Sequence, residues 1–198
     1  MNKAIYFDIG GVLIKDHLGP KTALPTFQNI APIFNFDPLW ATKTFQNIQE
    51  AIDLGEKSPK DLADLLQVDE KKLTDSLWPK DPFIEERLEL VRLAKAKGYK
   101  VGLATNFNNE WLELVIQKNK NFPKFDAVAC SSLIKFVKPS EKFYQEAERI
   151  IGTSDILFID DKQKNLDAAK KIGWKIILAE NTWYKDFQKN YLGENNER

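Results

Sequence analysis

The stretch Ala4-Ile5-Tyr6-Phe7-Asp8-Ile9-Gly10-Gly11-Val12-Leu13 decides the fold. Four apolar residues occupy both parities, then a carboxylate and a glycine pair interrupt them. A strand with one face in water alternates apolar and polar residues. A strand buried on both faces, as in a parallel sheet, reads as a continuous apolar run. The same kind of run recurs at Val101–Ala104, Ala127–Cys130, Ile156–Ile159 and Ile176–Ala179. Amphipathic segments separate the later runs. Phe83–Lys97 places Ile84, Leu88, Val91 and Ala94 at helical spacing and stops at Gly98, and helices are also expected at Asn109–Lys118, Glu141–Ile151 and Gln163–Ile172. Strand and helix therefore alternate, which predicts an α/β protein with a doubly wound parallel sheet.

Residues 16–81 break this alternation and read as a helical insertion after the first strand. Trp40, Phe45, Ile48 and Ile52 give an apolar face to a helix near Pro38–Leu54, and Ser58-Pro59-Lys60-Asp61 supplies an N-cap, a first-turn proline and an acidic N3 residue for the next. A further short helix is expected near Glu70–Leu77. The chain thus divides into an α/β core, residues 1–15 and 82–198, and a small helical cap, residues 16–81, above the carboxyl edge of the sheet. The end of the chain, Gly193–Arg198, reads as a disordered tail.

The composition narrows the chemistry. Among 198 residues there are 29 Lys+Arg, 29 Asp+Glu, one His (His17) and one Cys (Cys130). A zinc site, a disulfide framework or a Cys/His dyad cannot be assembled from these. No apolar stretch approaches the ~20 residues of a membrane span, and Asp8 cuts the first run too early for a signal-peptide core. A cytoplasmic protein is expected. Zero net charge argues against a nucleic-acid partner despite the lysines of residues 162–175. His17 reads as a solvated loop residue, Cys130 as a small core hydrophobe, and the tryptophans as core, with Trp40 and Trp78 in or beside the cap.

In open α/β sheets ligands bind beyond the carboxyl ends of the strands. The residues there are Asp8 after the first run, Thr105-Asn106 after the second and Asp160-Asp161 after the fourth, with Lys138-Pro139 ahead of a predicted helix. Phosphoryl transfer needs a divalent cation and fixed donors more than covalent chemistry, and Mg2+ prefers oxygen ligands. Asp8, Asp160 and Asp161 can supply such ligands, while Lys138 and Thr105 can address phosphoryl oxygens. Adjacent carboxylates are also favourable at a helix start, but without a cation the two would repel. One carboxylate near the metal can itself attack phosphorus, and Asp8 is the best placed.

In order along the chain, Phe7-Asp8-Ile9-Gly10-Gly11-Val12-Leu13, Leu103-Ala104-Thr105-Asn106, Lys138-Pro139 and Phe158-Ile159-Asp160-Asp161 resemble the four motifs of haloacid dehalogenase-like hydrolases. The cap resembles that of the subfamily IA-like members, which include many sugar-phosphate and nucleotide phosphatases; the stretch Asp53–Leu66, with Gly55 and Ser58, resembles the middle of such caps. The resemblance implies Asp8 as nucleophile, Thr105 and Lys138 as catalytic groups that bind the phosphoryl group, and Asn106 touching it or orienting the site. It further implies Mg2+ held by Asp8, Asp161 and the Gly10 carbonyl, with Asp160 a further ligand or acting through water. The implied enzyme is a Mg2+-dependent phosphatase of a small phosphorylated metabolite, working through an aspartyl-phosphate as a monomer or weak homodimer. Most phosphatases of this family carry a second Asp two residues after the nucleophile as general acid and base; here that residue is Gly10. Either the leaving group needs little protonation, as in an anomeric or acyl phosphate, or a group such as Asp16 or His17 substitutes. Gly10 also keeps open a catalytically inactive phosphate-binding module. A dehalogenase on the same scaffold is a further alternative.

Overall fold

The computed structural model describes residues 3–15, 18–19, 21–78 and 82–193, which leaves Asp16, His17 and the last five residues outside the described set. All five apolar runs are strands: β1 (Ala4–Phe7), β2 (Lys100–Thr105), β3 (Ala127–Cys130), β4 (Ile156–Asp160) and β5 (Lys175–Leu178). They form one sheet in the order β3-β2-β1-β4-β5, and each neighbouring pair is parallel. β5 starts one residue before its apolar run and releases Ala179, whose N–H donates to the Asp160 carbonyl.

The helices are α1 (Ala23–Phe34), α2 (Pro38–Asp53), α3 (Pro59–Leu66), α4 (Glu70–Leu77), α5 (Glu85–Ala96), α6 (Asn109–Gln117), α7 (Ser131–Ile134), α8 (Glu141–Ile151), α9 (Gln163–Lys171) and α10 (Trp183–Phe187), the last continuing into a π-helical turn over Gln188–Leu192. The two-residue period of β1 explains why its run is unbroken. Ile5 and Phe7 enter the larger core with α5, α6 and α10, whereas Ala4 and Tyr6 enter a second core with α8 and α9. No helix among the described residues is long and apolar enough to cross a membrane.

Between β1 and α5, helices α1 to α4 pack on one another. Their starts follow the capping rules. Asp37 accepts from the Trp40 N–H, Ser58 and Asp61 form a reciprocal capping box, and Asp69 accepts from the Lys72 N–H. Of these four, α1 is the helix the sequence reading did not single out, because Pro25 and Pro32 fall inside its span. Pro25 is tolerated in the first turn, but Pro32 removes an interior hydrogen bond, and tertiary burial of Phe27 and Ile30 overrides that cost. Of the five tryptophans, Trp40 alone is exposed.

The second core turns on Tyr6. Its ring stacks on Trp174 at 5.9 Å, its hydroxyl donates to the Ala147 carbonyl at 2.7 Å, and its flank lies against Gly102 of β2. A Cβ at position 102 would run into the Tyr6 ring, so the strand keeps a glycine despite its poor propensity. Gly102→Ala is therefore expected to lower stability by about 1–3 kcal/mol; a denaturation midpoint equal to that of the wild type contradicts this packing.

Candidate active site

The chain begins at β1, builds outward through β2 and β3, then crosses to β4 on the other side of β1. The topological switch point thus lies between β1 and β4, where the chain connections leave the sheet on opposite sides. Asp8 follows β1, and Asp160 ends β4 with Asp161 next. The Asp8 N–H donates to the Ile159 carbonyl at 2.9 Å, which ties the two strand ends together. Asp8, Asp160 and Asp161 each place a carboxylate oxygen within 4.8 Å of the others.

Lys138 enters this cluster from the loop before α8 and is buried. Its Nζ lies 3.1 Å from Asp8 Oδ1 and 2.6 Å from Asp160 Oδ2, and donates to the Ala104 carbonyl at 2.8 Å. Three acceptors satisfy its three donors, as a buried ammonium requires. Asp160 is equally committed. It accepts from Lys138, from the Lys162 N–H at 2.8 Å and from Asn165 Nδ2 at 3.0 and 3.1 Å. Asp161 remains partly exposed beside Gly11, whose φ is +73°. A Cβ on Gly11 would lie 2.7 Å from the Asp161 carboxylate, so glycine here holds space for that side chain as well as permitting the turn.

Asn106 fastens the loop that carries Lys138: its Nδ2 donates to the Lys138 carbonyl at 3.0 Å and its Oδ1 accepts from the Lys138 N–H at 2.8 Å. Its amide is thereby engaged with backbone, which favours the orienting role over direct ligand contact. Thr105 is buried at the end of β2, one residue beyond the carbonyl that accepts from Lys138. Gly10 lies in the turn after Asp8, bridged to Ile14. Arg87 of α5 donates to the Gly11 and Val12 carbonyls at 2.9 and 2.5 Å and so fixes this turn from behind.

Sequence reasoning missed Asn165 and Arg87. Asn165 carried a usable signal, since its helix starts just past Asp160 and turns a side chain back toward the strand end; Arg87 carried none. It also missed the fastening of the α2 end. Ser131 Oγ donates to the Asp53 carbonyl at 2.5 Å and accepts from the Phe107 N–H at 3.0 Å, while Lys135 donates to the Leu54 and Gly55 carbonyls at 3.1 and 3.2 Å. Asn108 Nδ2 reaches the Ile52 and Lys57 carbonyls, each at 3.4 Å. Side chains from the loop after β2 and from α7 and its C-terminal flank thus take up carbonyls that a helix end leaves without partners.

Three carboxylates around one buried ammonium leave an excess of negative charge. Burial pushes Asp8 up to about 7; Lys138 and Lys162 pull it down, while Asp160 and Asp161 push it further up. Asp53, at the end of α2, is also pushed up to about 7, chiefly by burial, with Asp8 and Glu50 adding repulsion against the pull of Lys162 and Lys138. Oxygen ligands in excess of local positive charge suit a hard divalent cation, so the donor set fits Mg2+.

The fold and site define a doubly wound α/β protein with a carboxylate cluster at the switch point of its sheet. The chain belongs to the haloacid dehalogenase-like hydrolases: the profile of that family matches residues 2–173. Among curated proteins, YhcW of Bacillus subtilis, whose name carries the word phosphatase, is 28% identical over 90 residues, 44% of this chain and 41% of that protein. The sesquiterpene phosphatase astK of Aspergillus oryzae is 30% identical over 86 residues, 42% of this chain and 44% of that protein. Each match spans less than half of the relative's length. Among solved structures, a HAD-family enzyme of Bacteroides thetaiotaomicron superposes with a TM-score of 0.74 at 21% identity, covering 94% of this chain and 98% of the other. A structure of that enzyme with magnesium and inorganic phosphate gives 0.69 at 21% identity, covering 94% of this chain and 100% of the other. L-2-haloacid dehalogenase of Xanthobacter autotrophicus gives 0.62 at 16% identity, covering 98% of this chain and 85% of the other. These likenesses show a shared fold.

The raised carboxyls have a consequence for stability. The folded protein holds protons on Asp8 and Asp53 that the unfolded chain releases near its ordinary carboxylate pKa, so their contribution is greatest at low pH and is lost as pH rises from about 4 through about 7. Asp53→Asn is expected to raise the melting temperature of the metal-free protein at pH 8, with a gain that shrinks toward pH 5. A pH-independent difference between the two proteins contradicts the assignment.

Proposed function

We propose that this chain is a Mg2+-dependent phosphatase that hydrolyses a small-molecule phosphomonoester, of sugar-phosphate or nucleotide type, through an aspartyl-phosphate on Asp8. The observation that carries this reading is the buried Lys138 ammonium bridging Asp8 and Asp160 with Asp161 alongside. Here an ammonium for phosphoryl oxygens, a carboxylate to attack phosphorus and ligands for a cation meet at one strand edge. The names of the two curated relatives, and the magnesium and phosphate bound by the Bacteroides enzyme, support it.

Asp8, Asp161 and the Gly10 carbonyl would hold Mg2+, with Asp160 acting through water or as a further ligand. When bound, the ion supplies charge neutralisation for the phosphoryl group and lowers the pKa of Asp8. Lys138 and the Thr105 hydroxyl address phosphoryl oxygens as negative charge spreads over them. An Asp8 oxygen bonds to phosphorus as the ester oxygen leaves, and water then cleaves the aspartyl-phosphate to regenerate Asp8. Asn106 keeps Lys138 in register through its two backbone contacts. Residues 16–81 serve as the cap that closes the crevice and selects the substrate, and the protein works in the cytoplasm as a monomer or weak homodimer.

A dehalogenase attacks carbon and needs no cation, so it leaves the acidic cluster without a task. An inactive binding module draws support from Gly10 alone.

Wild-type protein is expected to turn over p-nitrophenyl phosphate with Mg2+ and to lose this with a chelator. Asp8→Asn should cost at least ~10³-fold in kcat without altering the circular dichroism spectrum. Chloride release from 2-chloropropionate without metal, or vanadate binding without turnover across a phosphate panel, would instead establish the dehalogenase or the binding module. Gly11→Ala, by crowding Asp161, should weaken the Mg2+ dependence of activity by about 10- to 100-fold; an unchanged Mg2+ titration contradicts the role of Asp161.

A further inference from the structure

The turn after β1 commits its carbonyls unequally. The Ile9 carbonyl accepts from the Val12, Leu13 and Ile14 N–H groups at 3.3, 2.9 and 3.0 Å. The Gly11 and Val12 carbonyls both accept from Arg87 Nη1, at 2.9 and 2.5 Å, and the Leu13 carbonyl accepts from the Ile84 N–H at 2.9 Å. Within this series the Gly10 carbonyl has no protein donor among the described residues. A carbonyl left so is matched by water or by a cation. It belongs to the short piece of chain that leads from Asp8 to Gly11, where a Cβ would stand 2.7 Å from the Asp161 carboxylate. The uncommitted carbonyl thus falls on the stretch that joins the two carboxylates read as cation ligands.

We propose that Arg87 is a positioning residue for the cation: by tying down the Gly11 and Val12 carbonyls it fixes the turn that presents the Gly10 carbonyl, and so sets the affinity of the site for Mg2+. The proposal rests on the reading of Asp8, Asp161 and the Gly10 carbonyl as Mg2+ ligands. Arg87 is itself set by the chain's return from the inserted helices. Phe83 bridges Ile14, the Ile84 N–H donates to Leu13, and Arg87 follows in the first turn of α5. Its guanidinium carbon lies 5.9 Å from the Trp183 ring centroid, which gives the side chain a second hold on α10. Its hydrogen bonds go to backbone alone, so it acts through the turn and not on a substrate.

Such a support is needed because Gly10 and Gly11 bring no side chains with which the turn could fix itself, while Mg2+ accepts little departure from octahedral geometry. Groups that orient a metal's ligands govern its affinity without touching it. The sign of the effect sets this role apart from two simpler ones. A guanidinium acting through charge alone repels Mg2+, so its removal would tighten binding. A residue that only stabilises the fold lowers the melting temperature of the metal-free protein and leaves the Mg2+ affinity where it was. Positioning alone makes removal of Arg87 weaken the binding of Mg2+.

The test is calorimetric titration of Mg2+ alone into metal-free wild type, Arg87→Met and Arg87→Lys, beside the Mg2+ dependence of p-nitrophenyl phosphate turnover. Met keeps the aliphatic length and the packing on Trp183 but offers no donor, whereas a Lys ammonium can meet both carbonyls as the single Nη1 does. Arg87→Met is expected to raise the Kd for Mg2+ by about 10- to 100-fold, with excess Mg2+ recovering most of the turnover, so that the loss lies in the metal requirement and not in kcat. Arg87→Lys should bind Mg2+ close to the wild-type affinity. Melting temperatures without metal show that each variant is folded; should Arg87→Met not fold, Arg87→Gln replaces it with the same expected direction. An unchanged or lowered Kd in Arg87→Met, a loss of kcat that excess Mg2+ does not recover, or an equal loss of affinity in Arg87→Lys would overturn the proposal. If the wild type binds Mg2+ but hydrolyses no phosphate ester, the phosphatase reading fails and calorimetry still decides the role of Arg87. If it hydrolyses the ester with Mg2+ while Arg87→Met keeps the wild-type Kd, only the role of Arg87 falls. A wild type that binds no Mg2+ overturns both.

Discussion

A buried ammonium is tolerable only where its protons and its charge are both matched, and the carboxyl edge of this sheet is arranged around one. Lys138 has three acceptors, one of them the Ala104 carbonyl of β2 and two of them carboxylates that end or follow β1 and β4. Its single charge therefore joins three neighbouring strands. Removing it would leave two buried carboxylates facing each other, the case in which breaking a buried pair costs most. Asn106, Asn165 and the Lys162 N–H are consequences of that constraint, since each satisfies a remaining lone pair or holds the Lys138 backbone so that the ammonium can reach.

The sheet order makes such a meeting possible. With β1 central and the crossover from β3 to β4 passing it, the first and fourth strands end side by side, although some 150 residues of sequence separate Asp8 from Asp160. The register places Phe7 opposite Ile159 and Leu103, so Asp8, Asp160 and Ala104 follow at one level across the sheet. Buried strands then contribute rigidity: apolar packing on both faces fixes backbone positions from which short carboxylates cannot stray far.

This also explains what could be read from the sequence. Strands covered on both faces declare themselves as unbroken apolar runs, and a ligand edge at the carboxyl ends tells where to look, so Asp8, Thr105, Lys138, Asp160 and Asp161 were legible. Helix α2 was legible through the apolar face of Trp40, Phe45, Ile48 and Ile52, and α3 through Ser58, Pro59 and Asp61, because periodicity and capping are local. α1 was hidden by its prolines, which act locally, whereas the burial that overrules them is tertiary. Arg87, Ser131 and Asp53 were illegible for the same reason. Each matters through a backbone carbonyl or a charge brought near by folding, and no spacing in the chain records that.

A carboxyl at position 10 would meet the same electrostatics. Asp8 already feels Asp160 and Asp161 as neighbours that oppose its ionisation, with Lys138 and Lys162 only partly offsetting them. A further acid two residues from Asp8 would add to that repulsion at the shortest range, where Coulomb energy is largest. The equal counts of 29 acidic and 29 basic residues hide this asymmetry, because neutrality of the whole chain coexists with a local excess of negative charge.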